Sequence, residues 1–518
     1  MKIRLIDIFL AISSGILTAL SFPKFNLSFF AWISLLPLLF IILKKSPRQA
    51  FFLGLMAGAS YYAVLIYWVP SVPAHYGNLS IGISILIYLI FVFLLALFWA
   101  FFSFFSSKIY QSFPKFIFFL IPFLWISFEY ILTYLFTGFP WGLLGYSQYK
   151  NLYFIQMASV TGVYGLSFVL VLFQSLFLFS MNYRKRAPFF AALTLVLIIH
   201  LGGFASIKKI TPTENSFPAS VIQGNVSSDI YWDKISAQEI QDLFGQHLEL
   251  SHQAYAEGSH LIIWPEFSVP LCFSCSYGIY QEFKERLFQF VQKTGCTLLL
   301  GTNETTRAEE GVDYYNTALC LSPNLSTSYY YKMHLVPFGE YTPYKKIFFF
   351  IQKMTHAIGE ITPGNKIILH QFQGEKFGSP ICYEIIFPNL VRKFVKKGAN
   401  FLVTITNDGW YGKSSAPYQH FSISVLRAVE NRRYLLRAAT TGISGIIDPY
   451  GHILAKSELM TKTCLSQNIT PSRTLTPYTK HGDYLSIGSL TFGSIFLILS
   501  LRKRKNERKK RPSKGKLF

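Results

Sequence analysis

The chain has 518 residues, of which 51% are hydrophobic and 17% aromatic, and only 14% are charged, against roughly 25% in an average soluble protein. This charge deficit excludes an ordinary soluble globular protein and indicates a membrane protein. The formal charge is +22, and residues 502–518 carry ten Lys or Arg and one Glu directly after an apolar stretch, which favours an anionic membrane surface over nucleic acid as the partner of this basic tail.

Apolar stretches of about 20 residues are long enough to cross a bilayer, and the sequence has eight of them. They are 5–22, 26–43, 50–69, 81–105, 116–136, 158–181, 187–205 and 484–501. We interpret the first as a span and not as a cleavable signal peptide, because it lacks a clear small-residue cleavage site and the next stretch follows at once.

The basic residues of the connecting loops predict the orientation of these spans. If the N-terminus is cytoplasmic, so are the second, fourth and sixth connections, which hold Lys44, Lys45, Arg48, Lys108, Lys115, Arg184, Lys185 and Arg186. The first and fifth connections hold one lysine each and the third none. By the positive-inside rule, we predict a seven-span domain over 1–205, an extracytoplasmic domain over 206–483, an eighth span over 484–501 and a basic cytoplasmic tail over 502–518.

A chain with many spans is often a transporter, whose site usually contains ionisable residues within the membrane. Glu129 is a candidate for such a residue, but little else in the predicted spans is charged. The sequence therefore places the chemistry in the extracytoplasmic domain.

Short β-branched runs and amphipathic stretches alternate in that domain, which is typical of an α/β fold. The predicted strands lie in 219–224, 260–266, 297–304, 316–322, 377–384, 400–408 and 441–448. The predicted helices are 236–257, 280–294, 388–398 and 418–438, and 314–332 and 441–455 look like hairpins. We expect two mixed sheets between layers of helices.

Glu266 and Cys382 each end a predicted strand, where α/β proteins place their sites. Taken alone, a cysteine in an apolar strand is more often core than nucleophile. A nucleophilic cysteine needs a base and a positive neighbour. Glu266 can take the proton, and Lys332, in an aromatic segment, can supply the charge. Glu340, in the same segment, can orient Lys332.

These segments resemble the nitrilase superfamily, which is built as an α-β-β-α sandwich around a Glu-Lys-Cys triad. The matching segments are WPE (264–266), YYYKMHLVPFGEY (329–341), CYE (382–384) and NDGWYG (407–412). Further matching segments are GFPWGLLGYSQ (138–148), QGNV to YWDK (223–234) and RAVENRRYLLRAATTGISGIID (427–448). With these segments and the spans, the whole chain resembles the apolipoprotein N-acyltransferase family, the membrane-bound branch of that superfamily. One departure is Gly409, where Ala or Ser is more common.

The resemblance implies a polytopic α-helical membrane domain joined to an α/β nitrilase-like sandwich. It implies an N-acyltransferase that moves an acyl chain from a membrane phospholipid, through a thioester on Cys382, to the α-amine of the diacylglyceryl-modified N-terminal cysteine of lipoprotein precursors. Glu266, Lys332 and Cys382 would be catalytic. Supporting or substrate-binding roles are expected for Glu340, Tyr383, Glu384, Trp232, Asn407 and Trp410. No cofactor, metal or nucleic acid is expected.

The same resemblance implies a bacterial inner membrane, with the catalytic domain on the periplasmic side. The loop charges predict that both termini are cytoplasmic, and the oligomeric state is open, with a monomer as the default. Two other interpretations remain. One is a membrane-tethered nitrilase-type amidohydrolase, which would use the same triad with water as the acceptor, and the other is a non-enzymatic membrane binding or transport protein with a degenerate nitrilase-like domain. Eight spans favour a lipid substrate over a soluble amide, and an intact triad favours an enzyme.

Three further features have only open interpretations. Cys272 and Cys275 form a CFSC sequence that permits a disulfide or a redox pair. The aromatic run 347–358 is apolar enough for a membrane-dipping lid or for a core element. His334 and His420 are expected to be structural.

Overall fold

A computed structural model describes residues 2–207, 212–226, 236–268, 272–274, 279–307, 311–344 and 360–510. Helices occupy each apolar stretch that the sequence predicts to be a span. By length and composition, five helices of this described part could cross a membrane: Ile81–Tyr110, Ile117–Tyr134, Val163–Tyr183, Ala187–Ser206 and Tyr484–Lys503. The others are shorter or less apolar, so the count of eight spans, their orientation and the domain limits stay predictions.

The N-terminal helices are α1 (Leu5–Leu20), α2 (Leu36–Ile42), α3 (Pro47–Leu65), α4 (Ser71–His75), α5 (Ile81–Tyr110), α6 (Ile117–Tyr134), α7 (Leu152–Ile155), α8 (Ala158–Thr161), α9 (Val163–Tyr183) and α10 (Ala187–Ser206). Ser80 caps α5, since its hydroxyl accepts a hydrogen bond from the backbone N–H of Ile83 at 3.4 Å. Small residues let α3 approach α5 closely, because a Cβ on Gly54 would lie 2.3 Å from Ser103 Oγ.

The second half of the chain forms two six-stranded sheets. The strands are β1 (Phe217–Gln223), β2 (Leu261–Ile263), β3 (Thr297–Arg307), β4 (Val312–Leu321), β5 (Thr327–Tyr331), β6 (Leu369–Phe372), β7 (Glu375–Gly378), β8 (Phe401–Thr406), β9 (Leu435–Ala439), β10 (Gly445–Ile447), β11 (Ile453–Lys456) and β12 (Thr463–Ile469). The sheet orders are β12-β1-β2-β3-β4-β5 and β11-β10-β9-β8-β7-β6. The helices are α11 (Ala237–Ala256), α12 (Ile279–Thr294), α13 (Pro388–Lys396), α14 (Ala416–Asn431), α15 (Pro477–His481) and α16 (Tyr484–Lys510).

Successive side chains of a strand point to opposite faces of the sheet, so each strand contributes to two apolar layers. Val221 of β1 belongs to the core that is shared with the second sheet, for example with Val403 of β8. Ile222, the next residue, belongs to a separate core with Phe244 of α11 and Phe283 of α12. The predicted fold class, an α-β-β-α sandwich joined to a helical membrane domain, is therefore confirmed.

Two predicted elements end earlier than expected. The helix predicted over 418–438 ends at Asn431, and 435–439 form the buried strand β9. Arg432 adopts a left-handed conformation with φ of 50°, which ends the helix and lets the apolar run that follows pair with β8 and β10. The strand predicted over 377–384 ends at Gly378, so Cys382 lies in a turn beyond it.

Candidate active site

A buried cluster of one ammonium and two carboxylates lies at the end of the first sheet. Lys332 Nζ is 3.2 Å from Glu266 Oε1 and 2.8 Å from Glu340 Oε1. All three residues are 5% exposed or less. Two carboxylates that share one buried cation need further hydrogen bonds to remain ionised.

The strands position each member of this cluster. Glu266 follows β2, and Lys332 follows β5 directly and donates its backbone N–H to the carbonyl of Asn316 on β4 at 2.9 Å. The second sheet contributes through Asn407, just after β8, whose backbone N–H donates to Glu266 Oε2 at 2.7 Å. Glu266 is therefore held by both sheets.

Asn316 is a member of the cluster that the sequence analysis did not identify. Its side-chain Nδ2 donates to Glu266 Oε1 at 2.7 Å and to Glu340 Oε1 at 2.8 Å. The residue is completely buried, and its Oδ1 has no hydrogen-bond partner among the described residues. The only sequence signal was a polar amide at the start of the predicted strand 316–322, where burial demands partners.

Cys382 opens a tight 3₁₀ turn, Cys382–Ile386, that follows an isolated bridge between Ile381 and Ile405 of β8. Its φ is +49°, a left-handed conformation that is uncommon for a residue with a side chain and is typical of functional sites. The residue is 6% exposed. The residue therefore lies in a buried turn beyond β7 and not within a strand.

Electrostatics link Cys382 to that cluster. Burial raises the pKa of the Cys382 thiol well above its ordinary value, the charge of Glu266 raises it further, and Lys332 opposes both effects. Burial acts to lower the pKa of Lys332, but the charges of Glu266 and Glu340 outweigh it and raise this pKa. The resting site therefore holds a protonated thiol, a carboxylate that can accept its proton and a permanent cation.

Glu384 connects the cysteine turn to the lysine segment. Its Oε2 accepts the backbone N–H of Ile381 at 2.7 Å, and its Oε1 accepts those of Met333 at 2.7 Å and His334 at 3.0 Å. The Tyr330 hydroxyl also donates to Oε1, at 2.8 Å. Burial raises the pKa of Glu384 to about 7, while these hydrogen bonds act in the opposite direction. The carboxylate shapes the site without facing the reacting atoms.

The loop after α6 forms one wall of the site. The Tyr383 hydroxyl donates to the carbonyl of Gly138 at 3.2 Å, and His334 Nε2 donates to that of Thr137 at 3.0 Å. The His334 ring also lies 3.8 Å from the ring of Phe387. These contacts bring the predicted GFPWGLLGYSQ segment to the catalytic turn.

The predicted residue Trp410 lies against a residue of the N-terminal part of the chain. Its ring lies 4.4 Å from that of Tyr76, which follows α4, and the Tyr76 hydroxyl donates to the carbonyl of Gly409 at 3.3 Å. The Asn407 side chain instead accepts the backbone N–H of Gly409 at 3.1 Å, which is turn chemistry. Asn407 thus reaches Glu266 through its backbone only.

The structure brings together Glu266, Lys332, Glu340, Cys382, Tyr383, Glu384 and the backbone of Asn407, and it places Trp410 against Tyr76. Trp232, Cys275 and the run 347–358 lie outside the described residues, while Cys272 is disulfide-bonded. Among the residues that are described, no group of three or more His, Cys, Asp or Glu could hold a metal ion. The chemistry that this site supports is covalent acyl transfer through a cysteine, with a carboxylate base and a cation for the oxyanion.

Two family models match the sequence. The model of the apolipoprotein N-acyltransferase N-terminal domain matches residues 14–176, and that of carbon-nitrogen hydrolase matches 219–476. The apolipoprotein N-acyltransferase of Geobacter metallireducens is 36% identical over 513 residues, which are 96% of each chain. That of Rickettsia typhi is 32% identical over 515 residues, 95% of this chain and 97% of the relative. That of Methylococcus capsulatus is 30% identical over 503 residues, 96% of each.

Two solved structures are also similar to part of this chain. An amidase of the nitrilase superfamily from Nesterenkonia is 19% identical, with a TM-score of 0.38, and the match covers 54% of this chain and 96% of that one. A carbon-nitrogen hydrolase from Helicobacter pylori is 18% identical, with a TM-score of 0.37, over 49% of this chain and 89% of its own.

Proposed function

We propose how this chain works from the premise that it belongs to the apolipoprotein N-acyltransferase family, an acyltransferase branch of the carbon-nitrogen hydrolase superfamily. It is a membrane enzyme that N-acylates lipoproteins. The observation that carries the mechanism is the buried Glu266–Lys332–Glu340 cluster beside the strained turn of Cys382. The roles of the residues, the acyl donor and the orientation in the membrane are the proposal.

In the first step, the Cys382 thiol attacks the ester carbonyl of a membrane phospholipid. Its proton passes to Glu266 as the C–S bond forms, and Lys332 Nζ and the backbone N–H of Tyr383 stabilise the oxyanion. The tetrahedral intermediate then breaks its C–O bond, and the departing lysophospholipid takes the proton from Glu266. An acyl thioester remains on Cys382.

In the second step, the neutral α-amine of the N-terminal diacylglyceryl-cysteine of a lipoprotein attacks the thioester. Glu266 accepts a proton from the amine as the C–N bond forms, and the C–S bond breaks. The departing sulfur of Cys382 regains that proton, and the product is an amide. One base therefore serves both steps, which fits the position of Glu266 between the two sheets.

The electrostatics support this division of roles. Because burial and Glu266 raise the pKa of Cys382, attack requires a base, and Glu266 is the carboxylate with the largest effect on this thiol. Because Glu266 and Glu340 raise the pKa of Lys332, the cation persists through both steps. Glu340, which shares the ammonium at 2.8 Å, orients Lys332.

The architecture supports lipid substrates. Cys382 is 6% exposed and Tyr383 5%, and the loop that carries Thr137 and Gly138 contacts the site. A site closed in this way keeps water from the thioester while the amine attacks. We place this site at the periplasmic surface of a bacterial inner membrane, because both substrates keep their acyl chains in the bilayer. The loop charges predict that both termini are cytoplasmic. We propose that the enzyme acts as a monomer.

The test is the intact mass of the detergent-purified protein after incubation with phosphatidylethanolamine. Wild type should gain one acyl chain that hydroxylamine removes, and Cys382→Ala should gain none. Addition of a synthetic diacylglyceryl-cysteine peptide should then discharge the adduct and acylate the peptide. An adduct that persists in Cys382→Ala, or a folded wild type that never forms one, would refute the thioester mechanism.

A further inference from the structure

Gln419, on α14, connects the soluble domain to the N-terminal helices through every group of its side-chain amide. Its Oε1 accepts the indole N–H of Trp141 at 2.7 Å and that of Trp68 at 3.3 Å. Its Nε2 donates to the backbone carbonyls of Pro23 at 3.1 Å and Leu65 at 3.0 Å. The residue is 3% exposed. Only a carboxamide can accept from two indoles and donate to two carbonyls at once.

The next residue, His420, connects the same helix to the nucleophile. Its Nδ1 lies 2.8 Å from Asp408 Oδ1, and its Nε2 lies 3.2 Å from the carbonyl oxygen of Cys382. Asp408 is fixed in turn by Arg437 Nη2 at 2.6 Å. The ring is completely buried. Since a carbonyl can only accept, the tautomer with its proton on Nε2 is the one that donates to Cys382, and Nδ1 of that tautomer accepts from Arg437 Nη2 at 3.1 Å.

The carbonyl that His420 holds belongs to the residue with the strained backbone. A left-handed conformation at Cys382 persists only where its surroundings hold it. Glu384 secures the turn from one side through the N–H of Ile381 at 2.7 Å. His420 secures it from the other through the carbonyl. The position of the sulfur therefore depends on where α14 lies, and Gln419 fixes α14 against the membrane helices.

We propose that Gln419 and His420 are positioning residues through which the docked N-terminal helices hold the Cys382 turn in its reactive conformation. The inference rests on the proposed role of Cys382 as the nucleophile. It goes beyond that role, because it assigns the membrane helices a part in holding the thiol in its reactive position. Neither residue touches the reacting atoms, so their loss should slow acylation without weakening substrate binding.

The test compares four variants of the full-length enzyme in detergent. Gln419→Leu removes the connection to the helices, and His420→Leu removes the connection to the turn. His420→Gln keeps a donor that can reach the Cys382 carbonyl. Gln174→Leu is the matched control, because Gln174 is also a buried side-chain amide. It donates to the backbone carbonyl of Ala31 at 3.0 Å and accepts the backbone N–H of Leu35 at 2.7 Å. It contacts no residue of the site.

The readouts are the acylation rate of Cys382 by phosphatidylethanolamine, its dependence on lipid concentration, and the rate at which iodoacetamide alkylates Cys382. In Gln419→Leu and His420→Leu, the maximal acylation rate and the alkylation rate should fall on the order of 100-fold while the half-saturating lipid concentration stays unchanged. His420→Gln should recover most of the rate. Gln174→Leu should lose thermal stability but keep both rates.

Trp68→Phe is a milder variant in case Gln419→Leu does not fold, because it removes one donor to Gln419 and keeps an aromatic ring. It should slow alkylation by a smaller factor in a protein of unchanged elution profile. Wild-type rates in folded Gln419→Leu and His420→Leu would overturn the inference. If wild type is alkylated at Cys382 yet never acylated, the proposed function fails while the positioning role still stands or falls on the alkylation rates.

Discussion

Replacement of Asn316 by leucine, which has nearly the same volume, should nearly abolish acylation of Cys382. The amide donates two hydrogen bonds to carboxylates, at 2.7 Å to Glu266 and 2.8 Å to Glu340. A hydrogen bond to a charged group contributes about 1.5–3 kcal/mol. Two bonds at the lower figure give about 3 kcal/mol, which corresponds to a rate reduction on the order of 100-fold if the loss falls on the positioned base.

The assay is the rate at which intact mass gains one acyl chain, measured from pH 5 to pH 9. In Asn316→Leu, the acid limb of the rate profile should move to higher pH, because a hydrogen bond to the ionised carboxylate favours that form. Asn316→Asp should be slower still at neutral pH, since a third carboxylate faces the other two. It should recover partly at acid pH, where the protonated side chain can again donate.

Asn400→Leu is the matched control for this prediction. Asn400 is also a buried amide that donates to a buried carboxylate, that of Glu375, but it lies away from the site. Both leucine variants should lower the unfolding temperature, and only Asn316→Leu should slow acylation. Equal acylation rates in the two variants, or a wild-type rate in Asn316→Leu, would refute the idea that the amide positions the base.

Three other perturbations have defined outcomes. Lys332→Met should abolish acylation and lower the free energy of unfolding by about 3–5 kcal/mol, because it leaves buried carboxylates unpaired. Adding Glu340→Gln should restore part of the stability, as measured by denaturant titration, and none of the activity, as measured by intact mass. Glu384→Gln keeps three of four accepted hydrogen bonds and leaves one buried donor unsatisfied, so it should lower stability by about 1–3 kcal/mol; an unchanged unfolding midpoint would contradict this. Burial lowers the pKa of His334 to about 4 and that of His370 to about 3. The stability that these neutral rings contribute above pH 6.5 should therefore be lost as pH falls through 4 toward 3. In His370→Gln, the unfolding midpoint, measured at each pH, should change less with acid pH than in wild type.

Two members of the buried cluster, to which we assign catalytic roles, have a signal in the local sequence. Glu266 follows an apolar strand, and Lys332 is a cation in an aromatic segment. The core of the sandwich was predictable for a similar reason, since alternation along the strands divides residues such as Val221 and Ile222 between two layers. Local patterns of this kind need no knowledge of distant contacts.

The parts that sequence reasoning missed depend on distant contacts or on backbone geometry. Asn316 looks like an ordinary strand residue until the sheet brings it to Glu266, 50 residues away. Gln419 bonds to Pro23 over a separation of 396 residues, and no local pattern encodes such a pair. The end of α14 at Asn431 was missed because the apolar positions continue beyond it, and only the left-handed Arg432 separates helix from strand.

The same distant contacts explain why the two halves of this chain act as one catalytic unit. The second half presents large aromatic rings to the helices: Trp410 and Tyr411 pack against Tyr76 and Trp68 respectively. The wall at Gly138 and the amide of Gln419 belong to the same contact. Separation of the halves would expose this apolar face and, at the same time, open the site to water and release the turn of Cys382. In the mechanism that we propose, water exclusion and activation of the thiol therefore depend on a single interface, which would let acyl transfer to an amine compete with hydrolysis.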